Sequence, residues 1–276
     1  MIEMSESFKV IAHRGASAHA PENTMPAFTK AVELGTSEIE LDIRFSADEE
    51  IIVFHDDRLD AKTALRGRVR EHPAAVLFRT EIGSWFDRQH PEEKNQYAGT
   101  CLIGLRTVFE QMNGHVHYHV ELKGDDDLLP LRLLQMIDVF DLRERVTVSS
   151  FSVDRLREVQ RLAPEIPLCL LLWRTMKDTR NSRYSSELEG LSHEQIQQFW
   201  TDEAAAAGFQ QIGVSAADLV PHTMAHATDR GLDVRGWGVH NQDDLRRLYE
   251  VGAVGATVNW PGLALQAIRE RFADRS

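Results

Sequence analysis

Glu40 and Asp42 stand two residues apart in the run Glu38-Ile39-Glu40-Leu41-Asp42. In a strand, such positions share a face while Leu41 points the other way. Glu121 and Lys123 repeat the spacing later in the chain and add a third carboxylate and an ammonium group. Carboxylates that converge in a protein interior repel one another and lose hydration unless a cation or a proton neutralises them. A metal answers that requirement. Three hard oxygen ligands suit Mg²⁺ or Ca²⁺ better than Zn²⁺, and the residues do not choose between the first two. His13 and His55 each end an apolar, strand-like run, so two imidazoles join the acids. Such a pair can act as base and acid, one activating a nucleophile and the other protonating a leaving oxygen.

These side chains meet only if the elements that carry them stand side by side. Short β-branched runs alternate with amphipathic segments along most of the chain, the pattern of an α/β fold with parallel strands. Strands are expected near Lys9 to Ala12, Ser37 to Asp42, Val116 to Leu122, Val146 to Ser150, Pro167 to Leu172, Gln210 to Val214, Asp233 to Val239 and Gly255 to Val258. Helical patterns separate them. In the first of these, Asn23 or Thr24 can cap, Ala27, Phe28, Ala31 and Val32 form an apolar stripe, and Gly35 ends the turn. Eight strand–helix repeats in 276 residues favour a (β/α)8 TIM barrel over an open doubly wound sheet. No glycine-rich nucleotide-binding fingerprint follows any strand, in line with that choice. The whole chain, residues 1–276, reads as a single domain. Residues 57–103 break the rhythm with charges, Gly67, Gly83, Pro73, Pro91 and the pair Trp85-Phe86. They read as a small insertion after the second strand region, a lid over the barrel mouth.

Composition narrows the partners. Against 31 Lys and Arg stand 43 Asp and Glu, a net charge of −12 that offers no basic footprint for nucleic acid. Two cysteines, Cys101 and Cys169, cannot make a disulfide framework. The first residues, MIEMSESF, lack the basic and apolar regions of a signal peptide, and the apolar run Ile166 to Trp173 is far short of a membrane span. The expectation is a cytoplasmic protein without membrane insertion, acting on a small molecule, its oligomeric state open.

His13-Arg14-Gly15, Pro21-Glu22-Asn23-Thr24, Glu40-x-Asp42, His55-Asp56 and Glu121-Leu122-Lys123 occur in the order and spacing of one known family. With Ser149-Ser150-Phe151 and Gly236-Trp237, the chain resembles glycerophosphodiester phosphodiesterases from about Lys9 to Pro261. The resemblance implies a TIM barrel that hydrolyses glycerophosphodiesters to glycerol 3-phosphate and an alcohol with a divalent cation. It implies Glu40, Asp42 and Glu121 as metal ligands, His13 and His55 as the acid–base pair, and Arg14 and Lys123 as phosphate-binding groups. Which histidine is acid, and whether water attacks directly or a cyclic phosphate forms first, stay open. Trp237 is a further candidate for substrate binding, stacking on a glycerol or choline-like group.

Two stretches depart from the family pattern. Where the family has Leu-Asp/Glu-Arg-Thr-Thr-Asn-Gly, this chain has Leu59-Asp60-Ala61-Lys62-Thr63-Ala64-Leu65; where it often has Thr-Asp-x-Pro, this chain has Val258-Asn259-Trp260-Pro261. These losses motivate an alternative, a barrel altered into a phosphate-binding protein or redirected to another diester by hydrolysis or lyase chemistry. His115, His117 and His119 share Glu121's parity. Their preferred reading is a hydrogen-bonded interior. The other is a His-x-His metal site with Zn²⁺ or a dinuclear centre.

Overall fold

A computed structural model describes residues 8–91, 96–112, 115–172 and 184–273. Residues 1–7 and Trp173, used above to judge targeting and membrane insertion, lie outside that set. Among the described residues no helix is long and apolar enough to cross a membrane. The described residues form ten strands: β1 (Lys9–Ala12), β2 (Glu38–Phe45), β3 (Ile51–Val53), β4 (Ile103–Gly104), β5 (His117–Leu122), β6 (Val146–Ser150), β7 (Leu168–Leu171), β8 (Gln211–Ser215), β9 (Asp233–Val239) and β10 (Gly255–Val258). Their hydrogen-bonded order is β1-β10-β9-β8-β7-β6-β5-β2-β3-β4, and β1 also pairs with β2. Eight strands thus close a cycle, with helices in the connections, and the fold is a (β/α)8 TIM barrel. All eight strands expected from the sequence are there.

β3 and β4 are the addition. β2 runs on past Asp42 to Phe45, and the chain returns as antiparallel β3 with Ile43 opposite Val53. The Phe54 N–H then donates to the Asp42 carbonyl at 3.0 Å, so the next residue, His55, arrives beside the end of the acidic run. The insertion has more regular structure than its sequence shows, with short helices at Ala74–Leu77 and Gly83–Gln89. Its apolar residues close over Ile52 and Phe54 as a small core with Leu59, Val69, Leu77, Ile82 and Leu102, against which Trp85 packs. Burying apolar area in this way is what lets a long, charged connection keep one conformation.

Contacts divide the chain into two compact units. One comprises Ala12–Val146 with Asn259–Gly262; the other is built mainly on Thr147–Val258. In the first, the helix Met25–Glu33 starts from an extended Thr24 with Pro26 in its first turn, and buries Ala27, Phe28 and Ala31. Val32, expected on the same stripe, is 41% exposed, because the buried face is narrower than the apolar one. Neither Asn23 nor Thr24 caps this helix with its side chain. Asn23 is engaged elsewhere. In the second unit, Trp237 on β9 stands edge-on to Phe151 and packs with Cys169 and Leu171.

Candidate active site

β2 and β5 pair in parallel with Glu38 opposite His117, Glu40 opposite His119 and Asp42 opposite Glu121. The alternation of each strand therefore puts two ladders of polar side chains on one face, while Ile39, Leu41 and Ile43 fill the other. Glu40, Asp42 and Glu121 are buried, and oxygens of all three lie within 4.8 Å of one another. Lys123 Nζ stands 3.3 Å from Asp42 Oδ1 and 2.5 Å from Glu121 Oε1. The Lys123 ammonium thus bridges the two carboxylates. Three buried carboxylates whose oxygens converge fit a hard divalent cation. The electrostatics agree. Burial and the neighbouring Asp42 and Glu121 push the Glu40 carboxyl well above its usual range. Burial also opposes ionisation of Asp42, but Lys123, Arg14 and His55 outweigh it and hold that carboxylate strongly depressed.

The turn after β1 supplies the rest. Arg14 is left-handed at φ 55°, and Gly15 follows at φ +82°, where a Cβ would come within 2.6 Å of the Ala27 backbone. Only glycine fits there. This bend aims the Arg14 N–H at Glu40 Oε2, 2.9 Å away, and brings the guanidinium to Asp42 at 3.2 Å and Glu22 at 2.9 Å. Asn23, also left-handed, donates its amide to Asp42 Oδ2 at 2.8 Å. The motif Pro21-Glu22-Asn23-Thr24 is thus a brace: Glu22 holds Arg14, and Asn23 holds Asp42.

His13 Nδ1 lies 2.6 Å from Asn259 Oδ1, and its Nε2 is 4.0 Å from Glu40 Oε2. Burial and the adjacent Arg14 lower the His13 pKa to about 4, so the ring is neutral around pH 7. An amide oxygen only accepts, so Nδ1 carries the hydrogen and Nε2 the lone pair. His55 Nδ1 lies 2.7 Å from Asp56 Oδ1, which by the same reasoning places its hydrogen on Nδ1. Arg44 of β2 donates twice to the His55 carbonyl, at 2.9 and 2.7 Å, and fixes the backbone beneath the ring.

Seven of the eight candidate residues, His13, Arg14, Glu40, Asp42, His55, Glu121 and Lys123, lie in the same unit. Trp237 lies in the other, half-buried, its indole N–H donating to the Gly213 carbonyl at 3.1 Å. Glu22, Asn23, Asp56 and Asn259 contact members of the first group, and Lys62 contacts two of these four; none of the five is expected in the site from the sequence, Asn23 being expected only as a helix cap. Lys62 is the least expected. It reaches from the insertion to Glu22 and Asp56, 2.8 Å from each, with its ammonium 5.4 Å from the Trp85 ring centroid. A lysine one residue beyond the family's missing arginine was the available signal.

A TIM barrel with acids, imidazoles and cations gathered where the β1 and β2 segments end defines a class of metal-assisted hydrolase. Residues 13–263 match the model of the glycerophosphoryl diester phosphodiesterase family. The chain belongs to that family, and is a phosphoric diester hydrolase. A glycerophosphodiester phosphodiesterase of Bacillus subtilis is 28% identical over 262 residues, spanning 92% of this chain and 84% of the relative. One from Caldanaerobacter subterraneus is 26% identical over 265 residues, spanning 95% and 98%. In fold, the chain is similar to the crystal structure of a glycerophosphodiester phosphodiesterase from Agrobacterium tumefaciens, with TM-score 0.74, 24% identity and coverage of 93% and 98%. An Oleispira antarctica phosphodiesterase, solved in complex with the product sn-glycerol-3-phosphate, is similar with TM-score 0.75 at 21% identity, covering 96% and 98%.

Proposed function

We propose that this protein hydrolyses glycerophosphodiesters to glycerol 3-phosphate and an alcohol, with Glu40, Asp42 and Glu121 holding Mg²⁺ or Ca²⁺. The observation that carries the reading is the register that sets Asp42 beside Glu121, with Arg14 and Lys123 against the same carboxylates. A bound divalent cation supplies charge neutralisation and polarisation of a phosphoryl oxygen. Arg14 and Lys123 bind the phosphate, because negative charge building on its oxygens is stabilised best by cations already in place. His13, held neutral with its lone pair on Nε2, takes the proton of the attacking oxygen, whether that of water directly or of the glycerol hydroxyl whose cyclic phosphate water then opens. His55 hands a proton to the leaving alkoxide oxygen, and Asp56 at its Nδ1 orients the ring and stabilises the imidazolium.

The chain acts as one catalytic domain, with residues 57–103 as a cap. Two insertion contacts support the cap, Lys62 to Glu22 and the Tyr97 hydroxyl to the His19 carbonyl at 2.7 Å. Cys101 and Cys169 are not joined in a disulfide, and with the acidic charge this supports a cytoplasmic enzyme of small diesters that does not bind nucleic acid.

The test is glycerol 3-phosphate release from glycerophosphocholine and glycerophosphoethanolamine, after chelation and again with Mg²⁺ or Ca²⁺ restored, beside a His13→Ala control. Metal-restored release that the variant lacks is expected. Folded protein that binds glycerol 3-phosphate but releases none under either metal would instead identify a binding protein or a different diester.

A further inference from the structure

We propose that Glu38, His117 and His119 form a second metal site, separate from the carboxylate trio and selective for zinc-class divalent ions. The same register that builds the trio builds this cluster one step earlier on each strand. Glu38 precedes Glu40 by two residues on β2, and His117 and His119 precede Glu121 on β5, with Glu38 directly opposite His117. All three therefore lie on the ladder face. Ligand atoms of the three lie within 4.8 Å of one another, as in the trio.

The geometry is close to what a metal needs. His119 Nε2 is 2.7 Å from Glu38 Oε2, and the His117 ring is centred 5.0 Å from that of His119. An ion between them takes the place of the hydrogen that His119 shares with Glu38, and a modest rotation of His117 completes a third ligand. His119 is only 2% exposed, whereas Glu38 and His117 are half-buried, so one ligand is held firmly and two stand where an ion can enter. Each of the three side chains has further interactions, and the ion must compete with them.

Donor chemistry separates this cluster from its neighbour. Two imidazoles and one carboxylate are the set that borderline ions such as Zn²⁺ and Co²⁺ prefer, with a fourth position left for water, whereas three carboxylates favour Mg²⁺ or Ca²⁺. Adjacent steps along the strands lie roughly 6 to 7 Å apart, enough for two ions to sit without sharing a ligand. A zinc-class ion here ties β2 to β5, the two strands that carry the trio. The inference does not depend on the reaction catalysed.

The experiment uses the full chain, stripped with chelator, saturated with Mg²⁺ and titrated with Co²⁺. Visible d–d absorption and calorimetry follow the titration, and Zn²⁺ displacement follows it. One Co²⁺ equivalent with the absorption of a low-coordinate nitrogen–oxygen site is expected. His117→Ala and Glu38→Gln should each weaken it by about 10-fold or more, while Glu121→Gln should leave it in place. Imidazole NMR of the unmutated protein, in which two histidine rings should shift on Zn²⁺ addition, gives a readout that does not depend on the variants folding. Absence of Co²⁺ binding to the Mg²⁺-saturated protein overturns the proposal. So does binding that survives His117→Ala and Glu38→Gln but is lost in Glu121→Gln, which would put the ion in the carboxylate trio.

Discussion

Asn259 Oδ1 accepts from His13 Nδ1 at 2.6 Å, so a neutral amide stands behind this imidazole. The ring keeps its orientation without a second negative charge beside it. Burial and Arg14 then lower its pKa to about 4, which leaves it a base well below neutral pH.

The acid limb of the pH–rate profile should therefore reach below the ordinary histidine range, down toward the His13 value. Asn259→Asp adds a charge that favours the imidazolium, so the limb should move to higher pH. Asn259→Ala removes the orienting contact and should lower kcat by about 10-fold with a smaller change in the limb. Initial rates across pH for the three proteins check this, and an unmoved limb in Asn259→Asp contradicts it. The stability sign follows the same shift: with the folded value below the ordinary histidine value of 6.5, the unfolded chain binds more protons between the two, so stability falls as pH drops through that window.

Cation binding should release protons. Glu40 is held protonated above the usual carboxylate range by burial and by Asp42 and Glu121, and a divalent ion must displace that proton. Affinity for Mg²⁺ or Ca²⁺ should rise with pH across this range. In the metal-free protein the raised value favours the neutral form, so its contribution to stability is present at low pH and lost as pH rises. Calorimetry in buffers of different ionisation enthalpy measures the released protons; a binding heat independent of buffer would count against the linkage.

Lys123 is the buried counter-charge of two carboxylates, and burial alone would lower its pKa, but Glu121 and Asp42 raise it. Lys123→Met should destabilise the metal-free protein by about 3 to 5 kcal/mol, the range for leaving buried charge unpaired. Excess divalent cation should restore part of that loss in a denaturation experiment. Turnover should not return with it, remaining down by about 100-fold, because a phosphate-binding cation is gone.

Lys62→Ala should separate positioning from binding. The Lys62 ammonium bridges Glu22 and Asp56, the carboxylates behind Arg14 and His55, and is 12% exposed. Burial works against ionisation of Asp56, while its bonds to His55 and Lys62 hold it well below the usual range. Without Lys62, kcat should fall by about 10-fold with KM changed less, and Lys62→Arg should recover most of it. Steady-state kinetics on glycerophosphocholine would show this; an equal loss in the arginine variant would argue against a positioning role.

Much of the candidate site was legible in the chain because strand alternation is a local rule. Glu40 with Asp42, and Glu121 with Lys123, could be placed on common faces from spacing alone, and the eight strands from their β-branched runs. The sequence also carried the glycine at position 15, where a left-handed φ and the Ala27 backbone admit nothing larger. Which side chains serve as partners was not legible. Asn23 reads as a helix cap and instead bonds Asp42, its own backbone left-handed at φ 57°.

The sequence by itself determined the eight barrel strands, the candidate trio of acids and the two candidate imidazoles, since these follow from period, composition and residue chemistry, but not β3, β4 or the short helices of the insertion. Tertiary structure alone decided the register that sets Asp42 beside Glu121 and Glu38 beside His117. It alone brought Asn259 across 246 positions to His13, and Lys62 across 40 to Glu22. Those contacts join segments far apart in the chain, and no local preference encodes them; they form because strand pairing and burial of the surrounding core fix both ends at once.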